Sequence, residues 1–238
     1  MADAQPISPR FDARIAAANP EKPFRLGILG GTFDPVHNGH MALAQAAYAA
    51  FGLDGVLFIP TGLPVRKMTT CYASALERYA MLDAALAGIE YFDISRIEID
   101  REGPTYTIDT LLALDAAYGK RAELFFIGGG DIVDDLQTWK NAAEIAKLVT
   151  VICARRGGYL PEVSSDSLSA AANLPDTDVD DTAIDGFEAI AFRVYFFEMP
   201  RHTVSSTEIR TRVKLGLSVE ELMPDAARRY MRKRHLYE

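Results

Sequence analysis

The chain has 238 residues, of which 49% are apolar and 24% carry a charged side chain. This length suits one α/β domain with a small appendage, and the apolar content is enough for a sizeable core. The net charge of −8 argues against general nucleic-acid binding, which needs a positive surface field. A small phosphate ligand remains compatible with that charge, because a few well-placed cations are enough to bind one.

The two cysteines, Cys71 and Cys153, do not have the spacing of metal ligands. So few cysteines favour reduced thiols and a cytoplasmic location. No apolar stretch approaches the roughly 18–20 residues of a membrane span, and the first residues lack the pattern of a secretory signal. We therefore expect a cytoplasmic protein that binds neither membrane nor nucleic acid.

Short apolar segments alternate with helical patterns along the chain. Strands are predicted at 25–29, 55–59, 92–99, 123–127, 148–154 and 192–197. Helices are predicted at 39–51, 74–87, 107–118, 141–147, 206–215 and 219–234. This alternation predicts an α/β fold with a Rossmann-like, doubly wound parallel sheet and a small C-terminal helical part. In such a sheet, ligands bind outside the carboxyl ends of the strands.

The composition divides the chain into three parts. Residues 1–24 contain several prolines and an Ala-rich middle that suits a short helix, and we expect them to form an N-terminal extension. Residues 25–210 are expected to form the Rossmann-like domain. That domain is interrupted at about 160–190 by an insertion rich in Ser, Asp and Ala. Residues 211–238 are expected to add C-terminal helices packed on the same domain.

The most informative segment reads Gly30-Gly-Thr-Phe-Asp-Pro-Val-His-Asn-Gly-His40 and lies between the first strand and the next helix. Gly30 and Gly31 let the backbone turn sharply and approach a ligand closely. Backbone N–H groups there, together with the following helix N-terminus, form a phosphate site. His37 and His40 lie within about one helical turn, so both rings can face one pocket and donate hydrogen bonds to phosphate oxygens.

A second candidate anion site begins the helix predicted at 206–215. The segment Val204-Ser-Ser-Thr-Glu-Ile-Arg210 offers Ser205 or Ser206 as the helix cap, with Arg210 one turn further on. A helix N-terminus that carries hydroxyl groups and an arginine can bind an anion. Taken alone, the segment is more typical of a capping motif with a solvated arginine.

Together the two segments resemble the His-x-Gly-His and Ser-Ser-Thr-x-x-Arg motifs of the nucleotidyltransferase superfamily. The resemblance implies that His37, His40 and Arg210 are catalytic and stabilise charge on the phosphates of a nucleotide. It also implies that the two motifs meet across the sheet. The residues implied to bind ATP are Gly30, Gly31, Thr32, Phe33, Ser205, Ser206 and Thr207.

Further segments are similar to bacterial nicotinate mononucleotide adenylyltransferases. They are Gly103-Pro-Thr-Tyr-Thr-Ile-Asp-Thr110, Gly129-Gly-Asp131 with Trp139, Arg155-Arg-Gly-Gly-Tyr159 and Leu236-Tyr237. The similarity covers nearly all of 25–238 apart from the insertion. Enzymes of that family transfer AMP from ATP, with Mg²⁺ as cofactor, to nicotinate mononucleotide. The products are deamido-NAD and pyrophosphate, a step of NAD biosynthesis.

The resemblance implies roles at the acceptor end as well. Trp139 would stack on the pyridine ring, because a tryptophan offers a large π-face. Tyr106 and Thr107 would lie near the pyridine carboxylate, where a backbone N–H can select acid over amide. The other implied contacts are Lys67 or Arg66 with the acceptor phosphate, Asp131 with ribose hydroxyls or the shape of the nucleotide site, and Arg156 with adenine or the phosphates.

The chain departs from the family pattern near the acceptor. It has Leu63-Pro-Val-Arg-Lys67 where a Pro-Pro-His-Lys-like stretch is usual, and Gly62 where Asn is common. Gly128 and Gly130 also replace larger residues. These changes affect the expected acceptor-phosphate contacts and leave the ATP motifs intact. We expect Mg²⁺ to be held by phosphates and water, so no metal ligands are predicted among the side chains.

Several alternatives stay open. The acceptor could be nicotinamide mononucleotide or phosphopantetheine, although the segments of the second half are not typical of phosphopantetheine adenylyltransferases. A non-catalytic nucleotide-binding regulator is a different class, in which the basic residues 228–234 could contact nucleic acid. The presence of His37, His40 and Arg210 together favours the enzyme. A homo-oligomer is compatible with the sequence, which does not determine the oligomeric state.

Overall fold

The computed structural model of the protein describes residues 6–64, 71–155, 192–200 and 203–238. Its α-helices are α1 (Asp12–Ala17), α2 (Asn38–Phe51), α3 (Ala75–Leu86), α4 (Thr107–Tyr118), α5 (Ala142–Leu148), α6 (Ser206–Lys214) and α7 (Asp225–Lys233). Its strands are β1 (Phe24–Gly31), β2 (Gly55–Pro60), β3 (Leu63–Pro64), β4 (Phe92–Ile94), β5 (Pro104–Thr105), β6 (Ala122–Gly129), β7 (Thr150–Arg155) and β8 (Val194–Glu198). The expected insertion at about 160–190 lies outside the described residues.

The main sheet has the strand order β4-β2-β1-β6-β7-β8, and every neighbouring pair in it is parallel. The chain runs outward from β1 to β2 and β4, and then crosses to β6 on the other side of β1. The order therefore reverses between β1 and β6, which leaves a crevice outside their carboxyl ends. The predicted Rossmann-like α/β fold is confirmed.

Helices cover both faces of this sheet because its strands are apolar on both sides. In β2, Val56 and Phe58 belong to the core beneath α2, α3 and α7, whereas Leu57 and Ile59 belong to the core beneath α1, α4 and α5. Successive side chains of a strand point to opposite faces, so one continuous apolar run supplies both cores. The two-stranded sheet of β3 and β5 was not predicted.

Serine side chains cap two of the helices. The Ser74 hydroxyl accepts a hydrogen bond from the Glu77 backbone N–H, and the Glu77 carboxylate accepts one from the Ser74 N–H, which makes the capping box at the start of α3. Ser205 caps α6 by accepting from the Glu208 N–H at 3.1 Å. Of the two serines offered by the sequence, Ser205 is therefore the cap, and Ser206 is left for other contacts.

Two predicted boundaries were wrong. The strand predicted at 92–99 ends at Ile94, because the chain turns at Arg96, whose carbonyl accepts from the Asp100 N–H and whose guanidinium pairs with the Asp100 carboxylate. The helix predicted at 219–234 begins only at Asp225, since Pro224 occupies the N-cap position and disfavours helical backbone before it. α7 then packs against α3.

The described part of the expected N-terminal extension packs on the sheet. The Phe11 ring is fully buried and lies over Gly55, where an added Cβ would approach it to 2.5 Å. Ile15, on the short helix α1, joins the same core. The Ser8 hydroxyl donates to Asp93 Oδ2 at 2.6 Å, at the edge of the sheet. Residues 6–24 thus contribute side chains to the core of the α/β fold.

Among the helices that the structure describes, none is long and apolar enough to cross a lipid bilayer.

Replacing Phe11 with alanine is expected to lower the free energy of unfolding by about 3–5 kcal/mol, because it removes a buried ring and leaves a cavity. Equilibrium urea unfolding measures the change. Leu215→Ala is the control. Leu215 is 66% exposed, so this substitution should change the free energy of unfolding by no more than about 0.5 kcal/mol. Equal small losses in both variants would show that residues 6–24 do not support the core.

Candidate active site

A cleft of about 840 Å³ opens at the carboxyl ends of β1 and β6, in the predicted crevice. One part of its wall comes from the loop after β1 and from the start of α6. Another part comes from α4 and from the segment after β6. The predicted site residues that line it are Gly30, Gly31, Thr32, Phe33, His37, His40, Thr107, Trp139, Ser205, Ser206, Thr207 and Arg210. The structure therefore brings both predicted phosphate motifs to one cavity.

The two glycines at the end of β1 have different surroundings. A Cβ added to Gly30 would meet no atom within 4 Å, so the backbone there is open to the cleft. A Cβ on Gly31 would lie 3.0 Å from the ring of Phe33. That ring is buried and packs edge-on against His40, with centroids 4.9 Å apart. Phe33 thus supports His40 with its side chain, and only its backbone is placed for the predicted contact with ATP.

The two histidines cap α2 and stack on each other. His37 is the N-cap residue, and its Nδ1 accepts from the His40 N–H at 3.3 Å. The Nδ1 of His40 accepts from the His37 N–H at 3.1 Å. The ring centroids are 3.5 Å apart with 18° between the planes. Since both Nδ1 atoms accept hydrogen bonds, each neutral ring carries its proton on Nε2, as a phosphate donor requires.

His40 is held in its neutral form. Its ring is packed between Phe33 and His37, and this burial lowers the pKa well below the ordinary value, with the neighbouring charge of a protonated His37 as the second cause. Desolvation disfavours the imidazolium, and so does a like charge at stacking distance. Without a ligand, His40 is therefore a neutral N–H donor near pH 7.

The start of α6 is attached to the loop after β1. The Ser206 hydroxyl donates to the Pro35 carbonyl at 2.8 Å. Arg210 donates through Nη1 to the Asp34 carbonyl at 2.6 Å and through Nη2 to the Thr207 hydroxyl at 3.0 Å. Its guanidinium lies 4.5 Å from the ring centre of Tyr72, within cation–π range. These contacts aim one cation and the N-terminus of α6 at the same cavity as the histidines.

Asp34 connects the segments around this site, and the sequence analysis gave it no role. Its buried carboxylate accepts from the backbone N–H groups of Tyr72 and Ala73 and from the phenol of Tyr237 at 2.6 Å. Its carbonyl holds Arg210. An aspartate inside the first motif was a visible signal, but its partners are distant in sequence and could not be inferred.

Arg78 was also missed. Its side chain is buried in the first turn of α3 and donates to the carbonyls of Thr32 at 2.6 Å, Thr61 at 2.7 Å and Gly62 at 3.1 Å. These carbonyls lie just beyond the paired ends of β1 and β2. The sequence signal that could have revealed Arg78 was a charged residue among the apolar residues of an amphipathic helix. Arg78 thus holds in place the backbone that follows β1 and β2, next to the turn at Gly30 and Gly31.

The acceptor end of the cleft combines aromatic and polar walls. Trp139 is half-buried and packs edge-on against Phe126, with centroids 5.3 Å apart. Thr107 is the first residue of α4, and Tyr106 at the N-cap makes no side-chain cap hydrogen bond. Tyr106 itself is not among the described residues that line the cavity; its ring lies beneath the ammonium of Lys140.

Deeper in this end lies Glu98, a residue that the sequence analysis did not single out. Its carboxylate accepts from the Thr110 hydroxyl at 2.8 Å. Burial raises its pKa, against the opposing effect of the hydrogen bonds from Thr110 and Thr105. Thr110 in turn accepts from Arg101 at 3.0 Å. This network fixes the wall of the cavity next to Thr107.

Several predicted contacts fall outside what the structure describes. Arg66, Lys67 and Arg156 are not among the described residues. Asp131 is the second residue of the 3₁₀ segment Gly130–Thr138 after β6, and nothing is described of its side chain.

Two of the three glycines that depart from the family pattern have packing reasons, whereas a Cβ at Gly130 would lie 3.4 Å from the Ala154 carbonyl oxygen, an ordinary contact. A Cβ at Gly62 would lie 2.1 Å from the Glu98 carbonyl oxygen, and one at Gly128 would lie 2.1 Å from the Ile132 side chain. Such approaches are far inside van der Waals contact, so a larger residue would require the neighbour to move. At Gly62 the neighbour is backbone, which cannot yield as a side chain can.

Comparison with known proteins agrees with this geometry. A family model described as cytidylyltransferase-like matches residues 28–212. The probable nicotinate-nucleotide adenylyltransferase of Thermoanaerobacter sp. (strain X514) is 37% identical over 217 residues, 91% of this chain and 96% of that protein. The protein of the same name from Corynebacterium kroppenstedtii is 39% identical over 213 residues, 90% of each chain. The chain belongs to the nicotinate-nucleotide adenylyltransferase family. The family predicted from the motifs is thereby confirmed.

Solved structures of the same family name show the same fold. The nicotinic acid mononucleotide adenylyltransferase of Plasmodium falciparum, complexed with NaAD, aligns with a TM-score of 0.62 at 15% identity. The alignment covers 90% of this chain and 97% of that one. At this identity the likeness concerns the arrangement of strands and helices.

A metal ligand set was not predicted for this family member. Within the part of the chain that the structure describes, no group of three or more His, Cys, Asp or Glu side chains is arranged to hold a metal ion. The Asp34 carboxylate, inside the first motif, already accepts three hydrogen bonds from the protein.

The lowered pKa of His40 predicts a pH dependence of stability. Between the folded-state pKa and the unfolded value of about 6.5, the unfolded chain binds more protons. The contribution of neutral His40 is thus complete above about pH 6.5 and is lost as the pH falls toward the folded-state pKa, by at most about 1.4 kcal/mol per pH unit.

Urea unfolding at several pH values between about 7.5 and 5.5 tests this dependence. The His40→Gln variant should lose less stability across the range than the unchanged protein. His235→Gln, which removes an imidazole that is 78% exposed and outside the cleft, is the control for the substitution itself. If the free energy of unfolding changed equally with pH in all three proteins, the assignment of His40 as a neutral, desolvated ring would be contradicted.

Proposed function

We propose that this protein is a nicotinate-nucleotide adenylyltransferase that transfers AMP from ATP to nicotinate mononucleotide, giving deamido-NAD and pyrophosphate. The observation that carries the proposal is the shape of one cavity. A stacked histidine pair and Arg210 face a common space at the end of β1 and β6, and Trp139 stands at its other end. The triphosphate of ATP needs hydrogen-bond donors and a cation, and the pyridine ring of the acceptor needs an aromatic surface.

The ATP end supplies donors at fixed positions. The Nε2–H of His40 and the N-terminus of α2 support the triphosphate from one side. Ser206, Thr207 and Arg210 support it from the start of α6, which is already hydrogen-bonded to the carbonyls of Pro35 and Asp34. Because these donors are held in place by the fold, they lose little freedom when the phosphates arrive.

The reaction needs positioning more than acid–base chemistry. A phosphate oxygen of the acceptor attacks the α-phosphorus of ATP in line, and the bond from that phosphorus to the oxygen of the leaving pyrophosphate breaks. No protein atom becomes covalently modified. The barrier comes from bringing two anions together, so neutral and cationic donors that gather negative charge lower it.

The acceptor end is arranged for a flat, negatively charged base. Trp139 offers its indole face to the pyridine ring. The first N–H groups of α4, at Thr107, form a partial positive end that favours a carboxylate over a carboxamide. Asp131 would contact ribose hydroxyls or shape the nucleotide site. Lys67 or Arg66 would bind the acceptor phosphate, and Arg156 would lie near adenine or the ATP phosphates.

Magnesium enters this scheme as Mg·ATP, a substrate. The motif side chains that line the cleft include the donors His40, Thr207 and Arg210, and the Asp34 carboxylate already accepts three hydrogen bonds from the protein. They suit a metal ion that is held by the phosphates and water. The protein then binds the phosphate oxygens that are not in contact with the metal ion.

Pyrophosphate release from Mg·ATP tests the proposal, with nicotinate mononucleotide, nicotinamide mononucleotide and phosphopantetheine supplied in parallel. We expect a strong preference for nicotinate mononucleotide. Trp139→Ala should raise the KM of that acceptor while the KM of ATP stays the same. Trp139→Phe keeps an aromatic face and serves as the matched control. Preference for another acceptor would refute the acceptor assignment, and ATP binding without any release would indicate a non-catalytic nucleotide-binding protein.

His40→Ala is expected to lower kcat by about 10²–10³-fold, since it removes a donor that acts on the developing charge. Steady-state pyrophosphate release measures the loss. His235→Ala, which alters the exposed histidine after α7, is the control and should retain full activity. Turnover close to normal in His40→Ala would exclude a catalytic role for this ring.

A further inference from the structure

Tyr237 lies far from the phosphate motifs in sequence and next to them in space. It follows α7, is 8% exposed and belongs to the core on the α2 side of the sheet. Its phenol donates a buried hydrogen bond of 2.6 Å to Asp34 Oδ1. Burial and this bond both raise the pKa of the phenol, so it stays protonated and remains a donor. The proposed chemistry gives this residue no direct task.

Asp34 connects Tyr237 to Arg210 through two sets of contacts. Its carbonyl accepts from Arg210 Nη1 at 2.6 Å. Its carboxylate accepts from the Tyr72 N–H at 2.8 Å, and the ring of Tyr72 lies 4.5 Å from the Arg210 guanidinium. Two of the groups that contact the guanidinium, the Asp34 carbonyl and the Tyr72 ring, are therefore fixed by one aspartate, and a third contact is the Thr207 hydroxyl. A shift of that aspartate would move the carbonyl and the ring together.

We propose that Tyr237 is a positioning residue for the ATP-phosphate site, which acts through Asp34 to hold Arg210 in place. The Asp34 carboxylate is buried, and its described donors are two backbone N–H groups and this phenol. Loss of the phenol would leave a buried carboxylate short of one donor. The carboxylate would then turn toward water or another donor, and the loop that carries it would shift.

The backbone around Tyr237 adopts an uncommon conformation that places its phenol against Asp34. Tyr237 has a φ of 71°, in the left-handed region that most side chains avoid, and His235 has a φ of 51°. Two such residues within one short segment cost conformational free energy, which the surrounding contacts must offset. The neighbouring Leu236 packs against the same core, so the segment is anchored while the phenol points to Asp34.

The chain provides a matched control. Tyr118 is also buried, and its phenol also donates to a carboxylate, Asp12 Oδ1, at 2.6 Å. That pair joins α4 to α1 in the core on the other face of the sheet, and neither residue lines the cleft. Tyr118→Phe and Tyr237→Phe therefore remove the same hydroxyl from the same kind of bond. Only the second bond leads to the phosphate site.

This inference rests on the proposed function, so the unchanged protein is assayed first with Mg·ATP and nicotinate mononucleotide. Tyr237→Phe should lower kcat/KM for ATP about 10-fold, the size expected from losing a hydrogen bond to a buried charge. The KM of the acceptor should change less than about twofold. Tyr118→Phe should lose comparable thermal stability and keep kcat/KM for ATP within about twofold.

A double-mutant cycle separates positioning from general loosening. In an Arg210→Met background, Tyr237→Phe should have almost no further effect on kcat, because the group that it positions is gone. An equal fold-loss in both backgrounds, or a loss no larger than that of Tyr118→Phe, would overturn the inference while the proposed function stands. Absence of turnover in the unchanged protein would instead overturn the proposed function, and this inference with it.

Discussion

Three backbone carbonyls at the ends of β1 and β2 converge on the buried guanidinium of Arg78, and the shape of the cleft depends on that contact. These carbonyls lie beyond the last paired residues of the sheet, where no neighbouring strand supplies an N–H. A buried carbonyl without a donor is costly, and a buried cation without acceptors is costlier still. Here Nη1 and Nη2 of Arg78 satisfy the three carbonyls, while its buried Nε has no hydrogen-bond partner among the described residues. The position of α3 therefore determines where the chain leaves β1, and so where the phosphate-binding turn lies.

The histidine pair shows how folding and function share the same atoms. Each Nδ1 accepts a backbone N–H at the start of α2, which is a structural task normally given to serine or aspartate. A carboxylate there would bring negative charge to a site that must receive phosphates. A histidine caps the helix through Nδ1 and keeps a donor on Nε2 for the ligand. The cap thus selects the tautomer on which the proposed chemistry depends.

Much of the fold follows from local patterns, and the rest depends on distant contacts. Alternating apolar runs predicted the parallel sheet, and the glycine–histidine segment predicted which end of it carries the site. The length of β4 was mispredicted because a turn at Arg96 and Asp100 competes with an otherwise acceptable strand pattern. The hydrogen bond between Tyr237 and Asp34 spans 203 residues. No spacing rule connects such a pair, nor does any local signal show that Arg78 reaches two strand ends.

The electrostatics explain how an acidic chain can hold two anionic substrates. The N-termini of α2, α4 and α6 all reach the cleft, because parallel strands place the following helices with the same polarity. Their partial charges attract phosphate and carboxylate without any change in net charge. His40 adds a response to the ligand: buried and neutral in the free protein, it would be driven toward its charged form by a nearby triphosphate, since a negative charge raises its pKa. The site would then gain positive charge only when a substrate is present to balance it.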